Sequence, residues 1–221
     1  MSAGRVEEAL ARAIARRGAW LRGLPESGTD CVRLLSGSVE GAPGITVDRY
    51  GPLLLIQTGR EPLAPGAVDE LAAVVERELG WELAPVWNHR PAYRRGGFER
   101  FFATTAAVHD AIGREEGLRF RVDPRHGGLD PLLFLDLRAG RRLARAIAAG
   151  RSVLNLFAYT CGLGVAAAAG GAREVVNVDF ARSALAYGAM NAGLNGIRGP
   201  YFRLVHEDVF PVVRQLAGLA V

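Results

Sequence analysis

Two aspartates and a glycine loop are the residues of this chain whose types and spacing could do chemistry. Asp179 ends the run Glu174-Val-Val-Asn-Val-Asp179, and Asp208 follows the run Tyr201 to Val205 within His206-Glu-Asp208-Val-Phe210. Gly162 and Gly164 follow the apolar run Ser152-Val-Leu-Asn-Leu-Phe157, after the intervening Ala158-Tyr-Thr-Cys161. A buried strand, a glycine loop, a helix and a second buried strand tipped by an acid make a nucleotide-type half-site. The glycines let a ligand approach the backbone, and the acid accepts hydrogen bonds from ribose hydroxyls.

Two ligands fit that outline. Gly162, Gly164 and Ala167 match the dinucleotide spacing G-x-G-x-x-A, with Asp179 as the ribose acid, which would make an NAD enzyme. In that site, however, the first glycine stands at the end of the strand, so that a pyrophosphate meets the helix N-terminus. Here Ala158 to Cys161 intervene, and the wider loop favours a ligand without a pyrophosphate. One acid for ribose, Asp179, and one for an adenine amino group, Asp208, is the arrangement for S-adenosylmethionine, which is the preferred reading. Cys161 could be a nucleophile by type, but it lies in the cofactor loop, where a small residue suffices. His89, His109, His126 and His206 are scattered without a partner acid and nucleophile, and are read as core or surface residues.

The elements that must position these groups follow from periodicity. Val153 to Phe157 and Val175 to Val178 are continuous apolar runs, as in strands buried on both faces of a parallel sheet. A right-handed crossover through the Ala- and Gly-rich helix between them brings the loop and Asp179 to one carboxyl edge. A helix is expected to begin near Val209. Upstream, Arg138, Arg141, Arg142 and Arg145 fall at helical spacing as one basic face, on a helix running to about Ala149. Earlier still, Val6, Leu10 and Ile14 mark an amphipathic helix ending at Gly18, with Trp20 to Asp30 as a loop. Cys31 to Leu35, Ile45 to Val47 and Leu53 to Gln57 read as strands, with Asp48 to Gly51 as a hairpin turn. Val68 to Leu79 reads as a helix, and Val86 to Asn88 and Gly117 to Val122 as strands. The fold class is therefore α/β: a small N-terminal α+β domain over 1–124, then a Rossmann-like domain over 125–221.

Composition bounds the partners. Hydrophobic residues make up 49% of the chain, enough for a real core, and no apolar run approaches a membrane span of roughly 18–20 residues. Without a signal-peptide pattern, a cytoplasmic location and no membrane partner are expected. Cys31 and Cys161 give neither a disulfide framework nor metal-ligand spacing. The net charge of +4 points to a polyanion such as RNA, although the exclusive use of arginine for all 27 basic residues also fits compositional bias. Between Arg90 and Phe102, four arginines alternate with Tyr93, Phe98, Phe101 and Phe102. Arginines for phosphates and aromatics for bases suit single-stranded RNA.

Several stretches together resemble the RlmI-type class I methyltransferases, a family that includes large-subunit ribosomal RNA cytosine-5 enzymes. They are Asn155-Leu-Phe-Ala-Tyr-Thr160, Val178-Asp179, Asn191 to Gly196, Asp208-Val-Phe210 and Phe134-Leu-Asp-Leu-Arg138-Ala-Gly-Arg141-Arg142. With them go Arg33-Leu-Leu-Ser-Gly37 and Gly44-Ile-Thr-Val-Asp-Arg-Tyr-Gly51. Leu137, Gly140, Cys161 and Leu163 depart from the family's usual Gln, Asn, Gly and Phe. The resemblance implies S-adenosylmethionine as cofactor, with Asp136 and Arg138 at its methionine end and Tyr159, Thr160, Cys161 and Gly162 around it. Phe157, Asp179, Phe180, Asp208 and Val209 complete the implied set. It further implies ribosomal RNA as partner, allows a homodimer, and places the Asp-Pro-Pro loop and catalytic cysteine beyond Val221. The chain is accordingly expected to be an N-terminal portion that lacks its catalytic part and leaves one edge of the first Rossmann strand unpaired. A non-catalytic RNA-binding module and a small-molecule methyltransferase are the alternatives.

Overall fold

The computed structural model describes residues 3–90, 100–103, 111–125 and 130–216. The chain divides into two compact units, residues 1–117 with 122–131, and residues 118–121 with 132–221. The division thus does not fall at one point near Pro124: the short strand β7 (Leu118–Arg121) belongs with the second unit.

The first unit holds a five-stranded sheet in the order β1 (Cys31–Ser36), β2 (Ile45–Tyr50), β3 (Leu53–Thr58), β4 (Ala84–His89), β5 (Arg100–Ala103). Only the β3–β4 pair is parallel, joined through helix α3 (Ala67–Leu79). Helix α1 (Ala3–Gly23) packs beside α3, and Val6, Leu10, Ile14 and Leu21 meet Leu71, Val75 and the apolar side of the sheet in one core. Helix α1 runs past Gly18 because Leu21 continues the buried stripe one turn further. Strand β2 likewise runs through Asp48 to Tyr50, where a turn had been expected. Asp48 stands directly opposite Arg33 on β1, and its carboxylate accepts from Arg33 Nε at 2.8 Å and Nη2 at 3.0 Å. That cross-strand pair extends the ladder, and the turn moves to Gly51-Pro52. The linker after Ser36 contains a short helix, α2 (Gly37–Glu40), and a strand without a sequence forecast, β6 (Ile112–Glu115), also belongs to this unit.

The second unit is built on three parallel strands in the order β10 (Phe202–His206), β9 (Glu174–Asp179), β8 (Ser152–Leu156). Helix α4 (Arg138–Ile147) precedes β8, α5 (Gly162–Ala169) joins β8 to β9, α6 (Arg182–Leu194) joins β9 to β10, and α7 (Val209–Leu216) follows. The three-strand order of a doubly wound half-site is therefore present. Gly164 lets α5 lie on the sheet, because a Cβ there would sit 2.0 Å from Asn177 Oδ1. Under it Asn155 Nδ2 donates to Asn177 Oδ1 at 2.9 Å, and Asn177 Nδ2 donates to Arg203 O at 3.2 Å, an amide ladder crossing all three strands. Strand β8 pairs only with β9 among the described residues, and Leu154 on its other face is 44% exposed. The expectation of burial on both faces thus fails for β8: its apolar run is an edge with one face in solvent.

Candidate functional site

The carboxyl edge of the three-stranded sheet gathers most of the residues singled out above. Strand β8 ends at Leu156 and α5 does not begin until Gly162, so the chain crosses a wide loop before the helix starts. Within it Phe157, Tyr159 and Cys161 have φ of 52°, 49° and 60°, three non-glycine residues in the left-handed region. Such outliers persist where surrounding contacts hold them, and they cluster at functional sites.

Asp179 supplies one of those contacts. Its Oδ2 accepts from the Tyr159 N–H at 2.8 Å, and its Oδ1 accepts from the Ala181 N–H at 2.8 Å. The carboxylate, on a residue only 5% exposed, thereby fixes both the loop after β8 and the turn after its own strand. An ionised carboxylate offers about four acceptor positions, so it retains acceptor capacity toward the open edge. Asp208 stands at the neighbouring tip. Asp179 is in register with His206, the Glu207 N–H donates to Asp179 O at 3.2 Å, and Asp208 follows. Asp208 is exposed, and its Oδ1 accepts from the Phe210 N–H at 2.9 Å at the start of α7. The two acids share one edge, and neither is in an ion pair among the described residues.

Aromatic surface surrounds them. Phe157, Phe180 and Phe210 are 61%, 70% and 66% exposed, and the rings of Phe157 and Phe210 meet edge-on at 6.5 Å. Exposed phenylalanines grouped beside two carboxylates suit a ligand with both a flat apolar part and hydroxyl or amino donors.

Beside the loop lies a cleft of about 410 Å³ including its mouth. Leu133, Phe134, Leu137 and Leu163 form apolar walls, Phe157 to Thr160 and Gly162 form the loop side, and Asn155 and Arg141 are its polar groups. Of the expected site residues, Phe157, Tyr159, Thr160 and Gly162 line this cleft. Asp179, Phe180, Asp208 and Val209 belong to the strand-tip edge, where Val209 is buried. Asp136 and Arg138 lie just before and at the start of α4, outside the lining, and Asp136 is exposed. Thr160 is buried with its hydroxyl donating to Leu132 O at 2.7 Å, so its side chain braces the loop from behind.

Cys161 is fully buried, its Sγ facing Gly188, and burial, aided by Asp179, pushes its thiol up to about 12. A thiol held neutral and away from solvent is no nucleophile. His206, read as a core or surface residue, is exposed, and its Nε2 lies 2.9 Å from Phe180 O, tying β10 to the residue after Asp179. His89 is a buried partner of Thr58 Oγ1 at 2.8 Å in the first unit. His109 and His126 lie outside the described residues, as do residues 91–99 of the arginine- and aromatic-rich stretch.

The four arginines of α4 do not form one solvated face. Arg141 is buried in the cleft wall, while Leu143 and Ile147 point into solvent. Arginine spacing alone could not show this. Arg141 lies two helical turns before Ala148, and the structure buries both on the same side. Asn191 of α6 opens the run Asn191 to Gly196 that carries part of the family resemblance. Its Nδ2 donates to Thr160 O at 2.9 Å while its Oδ1 accepts from the Arg121 N–H at 2.7 Å, bridging the loop to β7.

Comparison with known proteins gives this geometry a context. A family model described as S-adenosylmethionine-dependent methyltransferase matches residues 86–219. Ribosomal RNA large subunit methyltransferase I of Aeromonas hydrophila is 35% identical over 190 residues, covering 83% of this chain and 47% of that protein. The protein of the same name from Cronobacter sakazakii is 32% identical over 209 residues, covering 86% of this chain and 48% of that protein. The chain spans about half the length of the curated relatives it matches. Among solved structures, SMU.776 complexed with SAH superposes with a TM-score of 0.80 at 25% identity, covering 100% of this chain and 56% of that one.

Proposed function

The chain belongs to the S-adenosylmethionine-dependent methyltransferase family, and on that premise we propose that its second unit binds S-adenosylmethionine at the β8–β9–β10 edge for methyl transfer to RNA, at cytosine C5 of ribosomal RNA. The observation that carries this reading is the Asp179 carboxylate, buried at the tip of β9 and bonded to the Tyr159 and Ala181 amides with acceptor capacity to spare. It is suited to the two hydroxyls of a ribose. Asp208 at the adjacent tip accepts from an adenine amino group, and Phe157, Phe180 and Phe210 supply apolar surface for the purine. The apolar walls Leu133, Leu137 and Leu163 suit the aliphatic stem beside the sulfonium, and no acid is among the described residues that line the cleft.

When bound, this cofactor supplies an electrophilic methyl group on its sulfonium. The residues of this chain bind and orient it. Methylation at cytosine C5 also needs a nucleophile at C6, and Cys161, buried with its thiol raised to about 12, does not serve. The RNA assignment is supported by the names of the curated relatives, the net charge of +4 and the run of arginines and aromatics from Arg90 to Phe102.

Calorimetry with S-adenosylhomocysteine tests the cofactor reading, with NADH as competitor: binding of S-adenosylhomocysteine lost in Asp179→Ala supports it, and preferential NADH binding reverses it. Salt-dependent binding of a ribosomal RNA fragment tests the partner. Cofactor binding with no RNA affinity would favour a small-molecule substrate instead.

A further inference from the structure

The first unit holds a buried histidine whose ring proton can be placed by counting. Thr58 ends β3 and His89 ends β4, directly opposite each other in the parallel pair. Thr58 Oγ1 accepts from Trp87 Nε1 at 2.9 Å and lies 2.8 Å from His89 Nδ1. An indole N–H can only donate, and a hydroxyl has one proton. Thr58 is 2% exposed, and its hydroxyl has no third partner among the described residues. With a proton on Nδ1 the hydroxyl would accept twice, and its own hydrogen would be buried without an acceptor, a costly arrangement. The chain Trp87, Thr58, His89 therefore runs one way. The hydroxyl donates to Nδ1, and the ring carries its proton on Nε2.

That Nε2–H is a donor fixed in direction, on a residue only 4% exposed. It has no hydrogen-bond partner among the described residues. Nor is it sealed in, unlike the unbonded Oδ1 of the preceding Asn88, so it meets solvent at the end of β4. A donor held this firmly, with no acceptor from its own chain, is placed for one from outside. The same end of the sheet carries charge. Arg60, two residues beyond Thr58, is exposed and has neither a hydrogen bond nor an ion pair among the described residues. Its stem lies against Gly44, where a Cβ would come within 3.0 Å of Arg60 Cγ. A neutral N–H and a guanidinium at one strand end suit anionic oxygen, as on the phosphates of a polynucleotide. We propose that His89 Nε2–H and Arg60 form a phosphate-binding point of the first unit, and that the phosphate belongs to RNA. The proposal rests on the RNA reading above and deepens it with a defined contact. Such a contact sets the position of the RNA and does not read its sequence.

The experiment uses the whole chain with ring-labelled histidine. Long-range proton–nitrogen NMR spectra report the tautomer of each ring, and His89 is assigned by its loss in His89→Asn. The His89 proton should be on Nε2, and that nitrogen signal should move on titration with a ribosomal RNA fragment. Inorganic phosphate at equal phosphate concentration should move it less than half as far; an equal shift assigns the point to free phosphate and overturns the RNA assignment. His89→Asn keeps an acceptor for the Thr58 hydroxyl and lacks the outward donor. Its RNA affinity, read by fluorescence anisotropy, should fall about five- to twentyfold, the loss of one bond to a charged acceptor. His89→Gln, whose amide reaches the Nε2 position, should recover part of it. Arg60→Gln should reduce the slope of log affinity against log salt by about 0.7, one phosphate contact on a single strand. A folded His89→Asn that binds RNA within twofold of wild type overturns the proposal, as does a proton found on Nδ1. If His89→Asn does not fold, the wild-type spectrum decides, with the His89 signal assigned through His89→Gln: RNA that binds and leaves the Nε2 signal in place refutes the contact. A wild type that binds no RNA defeats the RNA reading beneath, whereas RNA binding indifferent to His89 and Arg60 defeats the proposal alone.

Discussion

Asp179→Asn is the most informative single substitution, because it keeps shape and removes charge. The carboxylate accepts two backbone bonds, from Tyr159 N and Ala181 N, each at 2.8 Å. The amide can accept only one of them; its NH2 must face the other N–H as donor against donor. A bond to a charged acceptor contributes about 1.5–3 kcal/mol, and a buried group left unpaired costs about 1–3 kcal/mol. Folding stability should therefore fall by about 1–3 kcal/mol, read as a lower urea midpoint at unchanged slope. The ligand loses more. One ribose hydroxyl bond disappears and the other loses its charge, together about 2–4 kcal/mol, or roughly 30- to 700-fold in affinity. Calorimetry with S-adenosylhomocysteine at neutral pH measures it. Asp208→Asn serves as the comparison and should cost less, since Asp208 is exposed and spends Oδ1 on the Phe210 amide. A folded Asp179→Asn that binds within threefold of wild type would refute the argument from strand tip to sugar.

Three further outcomes follow from the same geometry. Gly164→Ala drives a methyl against Asn177 Oδ1 and breaks the amide ladder. It should destabilise by about 3 kcal/mol in urea, whereas Gly193→Ala, with nothing within 4 Å, should gain up to about 1 kcal/mol. The Cys161 thiol, raised to about 12, makes stability fall with pH. The unfolded thiol, with a pKa near 8.5, releases its proton first, so the stability present below that value is lost as pH climbs toward the folded pKa. Between about pH 9 and 10.5 the wild type should lose roughly 2 kcal/mol more than Cys161→Ala, and equal slopes would contradict the burial argument. Asn191→Ala strips partners from Thr160 O and Arg121 N. It should cost about 2–4 kcal/mol in urea and speed hydrogen exchange at Arg121, and unchanged exchange there would show that the bridge to β7 is not held by this side chain.

How far the sequence speaks for this fold depends on the range of each contact. The strands β8, β9 and β10 and the helices between them are legible as short apolar runs separated by glycines, and the positions of the two acids follow from strand ends. Signals fail where a distant partner decides. Strand β2 continues through Asp48 only because Arg33 stands across from it, and α1 passes Gly18 only because Leu21 has a core to enter. Strand β6 is Ile-Gly-Arg-Glu, a run whose polar residues and glycine carry no strand pattern of their own.

The cleft shows the same limit in sharper form. Spacing on α4 identifies a helix with four arginines on one face, but the structure buries Arg141 and leaves Leu143 and Ile147 exposed. Burying a guanidinium while two aliphatic side chains stay exposed runs against the usual sorting of residue types. Arg141 lines the cleft there and donates from Nη2 to Phe134 O. Local rules are overruled again at the left-handed residues Phe157, Tyr159 and Cys161, whose conformations no local propensity supplies and which Asp179 and Asn191 help to hold from other elements. Several disagreements between local rules and structure in this unit, at Phe157, Tyr159, Cys161 and Arg141, lie around one loop. They agree with the site proposed between α4 and the tips of the sheet.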